Sequence, residues 1–238
     1  MNALVSHKTP SLRGTVRIPG DKSISHRALI LGSLAVGTTT LTGLLDSADV
    51  MATAVALRQM GARIAQDGDG TWRVDGVGIG GLREPGGVLD LGNSGTGVRL
   101  LMGVAASHPF TSFFTGDASL RARPMDRIIR PIEAIGAQVR ARGGARLPLM
   151  IEGTAEAVPI EYAPPMASAQ VKTAVLLAGL NAAGTTRVIE ATPTRDHTER
   201  LLGLFGAELE VEDGGRGHVV SLTGQPELVP QALAVPGD

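Results

Sequence analysis

The stretch MGARI at residues 60–64 recurs as IGAQV at 135–139 and as FGAEL at 205–209. The glycines of these three copies are spaced 75 and 70 residues apart. A second series of glycines keeps nearly the same step, at 71 and 76 residues: Gly32, Gly103 and Gly179. Because two independent markers repeat in phase, the chain is predicted to consist of three similar units.

Each unit has the same internal plan. A polar motif leads directly into a helix that is apolar on nearly every side, which is typical of a buried helix. A short β-rich run follows, then a second helix with a one-sided apolar stripe that ends at the repeated glycine, a residue suited to the left-handed C′ position. Two strands joined as a hairpin complete the unit. The pattern predicts an α/β (α+β) fold of three β-α-β-α-β-β units around three buried helices, at 28–35, 98–106 and 171–180.

The surface helix of the second unit contains a proline. Ile128, Ile132 and Ile135 form its apolar stripe, and Pro131 lies among them. A proline inside a helix removes a hydrogen bond and costs roughly 3 kcal/mol. We therefore expect a kink or a late start in this helix.

Composition excludes several classes of protein. With 22 Lys plus Arg against 23 Asp plus Glu, the net charge of −1 provides no long-range field for nucleic acid or an anionic membrane. The absence of cysteine excludes a disulfide scaffold, a thiolate zinc site and a cysteine nucleophile. The first ten residues lack the apolar run of a signal peptide, and no apolar stretch approaches the roughly 20 residues that span a bilayer. We expect a cytoplasmic protein that contacts neither nucleic acid nor membrane.

The motifs before the three buried helices, at 20–27, 92–97 and 166–172, are rich in residues that cap helices. If the units are related by rotation, the three helix N-termini emerge at one end of the domain. Each carries about half a positive charge and unpaired N–H groups, so that end is predicted to bind anions. Of only three lysines in the chain, Lys22 and Lys172 lie in these motifs.

Several polar residues near these motifs allow two interpretations. Arg99 and Lys172 lie inside apolar helices, where a buried salt bridge and a ligand contact are equally compatible with the pattern. His26 and His197 are interpreted as packing or hydrogen-bonded residues. Asp196 and Glu199 are interpreted as capping and charging a helix N-terminus. No set of His, Asp and Glu shows metal-ligand spacing, and no phosphate-loop or dinucleotide motif is present, so neither a metal nor a nucleotide is expected.

Five motifs together resemble the 5-enolpyruvylshikimate-3-phosphate synthase (EPSP synthase) family. They occur in the family's order and span nearly the whole chain: PGDKSISHR at 19–27, GNSGT at 92–96, LRARPM at 120–125, SAQVK at 168–172 and RDHTE at 195–199. The resemblance implies an enolpyruvyl-transferase-like domain with three buried parallel helices. It also implies transfer of the enolpyruvyl group of phosphoenolpyruvate to the 5-hydroxyl of shikimate 3-phosphate, with release of phosphate, on the route to chorismate and the aromatic amino acids. No cofactor and no metal are implied.

The resemblance assigns roles residue by residue. Lys22 would be catalytic, touching both substrates and stabilising charge in the transition state. The residues that would bind shikimate 3-phosphate are Lys22, Ser23, Arg27, Ser168, Ala169, Gln170 and Arg195. Those that would bind phosphoenolpyruvate are Lys22, Asn93, Gly95, Thr96, Arg123 and Gln170. Glyphosate occupies the phosphoenolpyruvate site in this family, and the bare Gly95 leads us to expect a glyphosate-sensitive site.

Length is the main departure from the family, whose members have two similar three-unit domains with the active site between them. We expect residues 21–235 to form the N-terminal three-repeat domain, residues 1–20 to hold a strand, at about 14–18, and a crossover belonging with a second domain, and residues 236–238 to begin the crossing to it. The family's acid-base Asp and Glu would lie in that second domain. We therefore expect the chain alone to be inactive and to need a C-terminal domain or fragment as its partner.

Two other functions remain open from the sequence. A relative of the same architecture transfers enolpyruvyl to a UDP-amino sugar (UDP-N-acetylglucosamine), but it typically uses a cysteine acid that this chain lacks. A non-catalytic, anion-binding repeat module would explain the period. It would not explain the placement of Lys22, Arg27 and Arg123.

Overall fold

The computed structural model describes residues 4–8, 11, 13–16, 18–215 and 217–238. It consists of three repeats, each of which contributes one buried helix to the centre. The first repeat consists of α1 (Lys22–Leu34), β1 (Val36–Thr42), α2 (Ala48–Gln59), β2 (Arg63–Gln66) and β3 (Trp72–Val77). The second consists of β4 (Leu89–Asp90), α3 (Gly95–Ala106), β5 (Thr111–Thr115), α4 (Ala118–Ala122), α5 (Asp126–Ile135), β6 (Gln138–Arg142) and β7 (Arg146–Glu152). The third consists of β8 (Glu161–Tyr162), α6 (Ala169–Gly179), β9 (Thr185–Glu190), α7 (His197–Leu204), β10 (Leu209–Gly214) and β11 (Gly217–Thr223), and β12 (Ala232–Ala234) follows it.

Each repeat contributes one four-stranded sheet of the same topology. The strand orders are β12-β1-β3-β2, β4-β5-β7-β6 and β8-β9-β11-β10. In every sheet the short edge strand runs parallel to its neighbour, and the other pairings are antiparallel. The predicted β-α-β-α-β-β plan is therefore realised in full in the second and third repeats.

The first repeat obtains its edge strand from the far end of the chain. β12 pairs with β1, with Thr40 opposite Ala232. The segment at about 14–18, expected to belong with a second domain, is not part of this sheet: residues 13–16 and 18 are exposed and carry no strand, and Arg17 lies outside the described residues. The pairing satisfies the backbone groups of an edge that would otherwise stay open, and Leu233 packs against the core.

The buried helices are completely enclosed because their side chains are apolar on all sides. α1, α3 and α6 bury almost every residue after their first turn. α3 and α6 approach closely at Gly103, where an added Cβ would lie 2.8 Å from the Cα atom of Ala174. A larger residue at position 103 would push the two helices apart. At least this glycine of the repeated series Gly32, Gly103 and Gly179 is therefore required for close helix packing.

The repeated glycine ends each surface helix as predicted. Gly61, Gly136 and Gly206 have φ angles of 103°, 123° and 93°, in the region that only glycine adopts freely. The late start expected for α5 is wrong, because this helix begins at Asp126 and includes Pro131. Pro131 and the three isoleucines of the stripe are buried, and that burial offsets the hydrogen bond lost at the proline. Among the described residues, no helix has the length and apolarity needed to cross a membrane.

Candidate functional site

The N-termini of the three buried helices line two adjoining cavities. The first, which we name the Arg123 cavity, has a volume of about 340 Å³ and is lined by Lys22, Asp49, Asn93, Gly95, Thr96, Arg99, Arg123 and Gln170. The second, the Arg27 cavity, has a volume of about 280 Å³ and is lined by Lys22, Ser23, Arg27, Thr96, Ala169, Gln170, Arg195, His197 and Asp238. Lys22, Thr96 and Gln170 belong to both. The first two residues of every buried helix therefore line this pair of cavities, as the rotational arrangement of repeats predicted.

Each buried helix is capped by the side chain just before it. Asp21 accepts a hydrogen bond from the N–H of Ile24 at 2.6 Å, and Ser94 accepts one from Gly97 at 3.1 Å. Ser168 does the same for Val171 at 3.4 Å. One free N–H of each first turn is thus satisfied, and the helix dipole still favours negative charge at this end. Ser168 serves as this cap and does not line the Arg27 cavity, although the resemblance assigned it to substrate binding.

Hydrogen bonds connect the walls of the Arg123 cavity across two repeats. Arg123, just after α4, donates to Asn93 Oδ1 at 2.6 Å and to Ser119 Oγ at 3.2 Å. Gln170 at the start of α6 donates to Thr96 Oγ1 at 3.0 Å and accepts from Arg99 Nη1 at 2.8 Å. These bonds hold side chains from α3 and α6 in fixed positions around the cavity.

Positive charge predominates in the Arg123 cavity. Lys22, Arg99 and Arg123 line it, whereas Asp49 is its only acidic lining residue, 3.3 Å from Lys22 Nζ. Sequence reasoning did not identify Asp49, because a single acidic residue in the first turn of a surface helix is indistinguishable from an ordinary helix-charging residue.

Arg99 is the cation whose environment points most clearly to an anionic ligand. It is only 7% exposed, and no described carboxylate forms an ion pair with it. Burial lowers the pKa of its guanidinium to about 10, and the positive charges of Arg127 and Arg123 act in the same direction. Its buried Nε lacks a hydrogen-bond partner. Of the two interpretations left open for Arg99, the structure favours a ligand contact.

The Arg27 cavity is built around a buried guanidinium that has neutral hydrogen-bond partners. Arg27 Nε donates to Thr198 Oγ1 at 2.7 Å, Nη2 donates to Thr173 Oγ1 at 2.6 Å, and Nη1 donates to the Ser23 carbonyl at 2.9 Å. Burial lowers the pKa of Arg27 to about 10, and the nearby Glu199 carboxylate partly opposes this shift. Arg195 adds a second positive charge to the cavity.

For Lys172 the structure supports the structural interpretation, a buried salt bridge. Its Nζ lies 2.7 Å from Glu190 Oε2 and 2.5 Å from Glu199 Oε1, and its side chain is fully buried. Glu190, Glu199 and His218 place ligand-type atoms within 4.8 Å of one another. A metal cation there would compete with the Lys172 ammonium, so these carboxylates are suited to the lysine.

Three other expectations concern residues beside the cavities. His26 is fully buried with Nδ1 2.8 Å from Thr53 Oγ1, consistent with a packed, hydrogen-bonded histidine. Burial lowers its pKa to about 4. His197 begins α7 and lines the Arg27 cavity. Asp196 occupies the N-cap position of α7, but its side chain makes no capping hydrogen bond; it pairs with Arg200 at 2.6 Å, and the adjacent arginine lowers the pKa of the carboxyl group.

A larger cavity, of about 820 Å³, lies beside the β2–β3 hairpin and residues 18–20. Among the described residues, two aspartates line it and no lysine or arginine does. Its described lining therefore offers no positive charge to a phosphorylated ligand.

Comparisons with known proteins identify the family. The family model EPSP synthase (3-phosphoshikimate 1-carboxyvinyltransferase) matches residues 7–238. A 3-phosphoshikimate 1-carboxyvinyltransferase of Parvibaculum lavamentivorans is 59% identical over 238 residues, and that of Paracoccus denitrificans is 58% identical over 235 residues; the match covers 100% and 99% of this chain and 53% of each relative. The solved EPSP synthase of Acinetobacter baumannii superposes with a TM-score of 0.87 at 46% identity, covering 94% of this chain and 50% of that one. The chain thus spans about half the length of the relatives it matches.

Proposed function

Because this chain belongs to the EPSP synthase family, we propose that it supplies one side of an active site that transfers enolpyruvyl from phosphoenolpyruvate to shikimate 3-phosphate. The observation that carries the proposal is the pair of adjoining cavities, lined by the N-termini of three helices and sharing Lys22, Thr96 and Gln170. Two anionic substrates that react with each other need two adjacent anion sites with a common wall. A single cation site would not meet this requirement.

We assign phosphoenolpyruvate to the Arg123 cavity. All six residues that the resemblance gave to this substrate line it: Lys22, Asn93, Gly95, Thr96, Arg123 and Gln170. We add Arg99 to this set, since its guanidinium is buried and no carboxylate in the described part of the chain pairs with it. Together the three cations and the free N–H groups of α3 can neutralise a phosphate and a carboxylate.

We assign shikimate 3-phosphate to the Arg27 cavity. Six of the seven residues that the resemblance gave to this substrate line it: Lys22, Ser23, Arg27, Ala169, Gln170 and Arg195. Ser168 would contribute through the α6 N-terminus that it caps. The two cavities are small, which is consistent with substrates enclosed further by a second domain.

In the proposed reaction the 5-hydroxyl oxygen of shikimate 3-phosphate attacks C2 of phosphoenolpyruvate and gives up its proton to a base, while C3 takes up a proton from an acid. The tetrahedral intermediate then loses inorganic phosphate and a proton from C3, which restores the enol double bond. Lys22 belongs to both cavities, so its ammonium can stabilise negative charge on either substrate as the bond between them forms. The groups that move the protons would come from the second domain, as the resemblance implies.

We further propose that residues 21–235 form the catalytic half-domain, and that the segments 1–20 and 236–238 lead to its partner domain. Backbone bonds hold these segments together: Asp21 N–H donates to the Pro236 carbonyl at 2.8 Å, and Asp238 N–H donates to Pro19 at 3.2 Å. The family resemblance also favours a cytoplasmic location for this activity.

The proposal is tested by measuring phosphate release from shikimate 3-phosphate and phosphoenolpyruvate. We expect no turnover with this chain alone, and turnover when a separately expressed C-terminal half of the synthase is added. Lys22→Ala should abolish the restored activity, whereas Arg63→Ala, at an exposed ion pair of β2, should not change it. Restored activity that survives Lys22→Ala would contradict the assignment of the site.

A further inference from the structure

The hydroxyl groups of Thr173 and Thr198 form a directed chain of hydrogen bonds beneath Arg27. Thr173 Oγ1 donates its only proton to the Ala169 carbonyl at 2.6 Å. The contact of 2.6 Å between the two threonine hydroxyls must then be donated by Thr198. Both oxygens consequently keep lone pairs for Arg27, which donates to each of them.

This arrangement determines which edge of the Arg27 guanidinium is occupied. Nε–H and one N–H of Nη2 lie side by side on one edge of the planar group, and the two threonine oxygens, 2.6 Å apart, accept from that edge. Nη1 donates to the carbonyl of Ser23, four residues earlier on the same helix, and we take its inner N–H, on the side of Cδ, to be the donor. Of the five donors, the two that remain are the parallel pair at the end of the guanidinium, one on each Nη.

That remaining pair has no partner within the described part of the chain, and Arg27 lines the Arg27 cavity. Two parallel N–H groups match the two oxygens of a carboxylate or phosphate. If the threonine oxygens did not hold the Nε–Nη2 edge, the guanidinium could rotate about its last side-chain bonds. The remaining pair of N–H donors would then no longer keep one fixed direction. Thr173 is completely buried and Thr198 is 1% exposed, so water cannot replace either hydroxyl.

We propose that Thr173 and Thr198 are positioning residues that aim the end pair of Arg27 N–H donors at an oxyanion of the substrate in the Arg27 cavity. The inference rests on the proposed function for the nature of that substrate. The fixed orientation of Arg27 follows from its hydrogen bonds and does not depend on the proposed function. Thr198 lies in the first turn of α7 and Thr173 in α6, so the orientation of Arg27 depends on the packing of three helices.

The test compares Thr198→Val, which keeps the shape and removes the hydroxyl, with Thr198→Ser, which keeps the hydroxyl. Thr186→Val is the matched control, because the Thr186 hydroxyl is also fully buried but has no hydrogen-bond partner. We expect Thr198→Val to weaken shikimate 3-phosphate binding about tenfold by calorimetry, the effect of losing one well-aligned charged contact. Thr198→Ser and Thr186→Val should bind within about twofold of the original chain.

Binding of phosphoenolpyruvate to the Arg123 cavity serves as the internal reference and should be unchanged in all three variants. Unphosphorylated shikimate identifies the oxyanion: an equal loss for shikimate and its 3-phosphate indicates the carboxylate, and a loss confined to the 3-phosphate indicates the phosphate. Equal binding by Thr198→Val and the original chain would overturn the inference.

A second measurement keeps the inference testable if the original chain fails to bind shikimate 3-phosphate, a result that would contradict the proposed function. Proton exchange at Arg27 Nε–H, followed by nitrogen-15 NMR with Arg27→Lys to assign the signal, reports the orientation directly. Slow exchange in the original chain and in Thr198→Ser, with fast exchange in Thr198→Val, is expected. Equally slow exchange in Thr198→Val would show that the threonines do not hold the guanidinium.

Discussion

Arg99 and Lys172 are both cations buried near the start of an apolar helix, but the structure uses them in opposite ways. Lys172 is neutralised by Glu190 and Glu199, whereas the partners of Arg99 among the described residues are the neutral Gln170 and Gly95. A buried cation with its own carboxylates stabilises the fold only as part of that cluster. A buried cation without them, at the wall of a cavity, retains its charge for a ligand. The neighbours of a buried charge, and not its burial, therefore distinguish a structural role from a functional one.

The largest effect is expected from removing the Lys172 charge. Lys172→Met leaves two buried glutamates without a counter-ion, and breaking a buried pair costs about 3–5 kcal/mol. Urea denaturation should show this loss in the free energy of unfolding. Lys22→Met, which breaks an ion pair with Lys22 about half exposed, should cost under about 1 kcal/mol. Similar stabilities of the two variants would contradict the structural role of Lys172.

Unlike the two buried cations, His26 is a buried base that stays neutral. Its pKa of about 4 in the folded chain lies below that of an unfolded histidine, about 6.5. Stability linked to neutral His26 is therefore complete above pH 6.5 and is lost as the pH falls from 6.5 toward 4. The full loss is about 3 kcal/mol.

The measurement for His26 is the unfolding free energy between pH 7 and 4, compared with His26→Gln. The glutamine variant should lose less stability over this range, since its side chain takes up no proton. Identical pH profiles for the two proteins would show that His26 does not titrate with a lowered pKa.

Removing the Arg99 charge should affect binding and leave stability intact. Arg99→Met deletes a charged donor that we assign to the phosphoenolpyruvate site, and such a loss corresponds to about 1.5–3 kcal/mol, or roughly 10–100-fold in affinity. Calorimetry with phosphoenolpyruvate measures it. The unfolding free energy should be unchanged or slightly higher, because an unneutralised buried charge is removed. A destabilisation as large as that of Lys172→Met would end the distinction between the two cations.

Gly95→Ala should give the smallest effect, because it acts on the Arg123 cavity only through sterics. An added Cβ would lie 2.8 Å from Arg123 Nη1, so the flexible guanidinium must move. We expect phosphoenolpyruvate affinity to fall several-fold, on the order of 1 kcal/mol, and shikimate 3-phosphate affinity to stay the same. The same titrations with glyphosate test the sensitivity expected for a site with a bare Gly95. Unchanged affinity for both phosphoenolpyruvate and glyphosate would show that the cavity accommodates the methyl group.

Local signals in the sequence predicted much of the fold. A helix without a polar face must be buried, and a glycine at the end of a surface stripe adopts the left-handed conformation with little steric cost, as Gly61, Gly136 and Gly206 do. The late start predicted for α5 was wrong, because a single proline contributes less than the burial of Ile128, Ile132 and Ile135. Local signals also could not show that β12 would complete the first sheet, since strand pairing between residues 192 positions apart leaves no local pattern.

For the site, local sequence patterns indicate the chemistry available: capped helix starts, a period that brings them together, and the basic side chains beside them. The packing of distant segments sets how each charge is used. Glu190 and Glu199 come from β9 and α7 to neutralise Lys172, while no described carboxylate pairs with Arg99. It also decided the aim of Arg27, through Thr173 and Thr198, which lie 146 and 171 residues away along the chain. Charge type is a property of a residue, but neutralisation and orientation depend on distances of a few ångströms that only packing of distant segments creates.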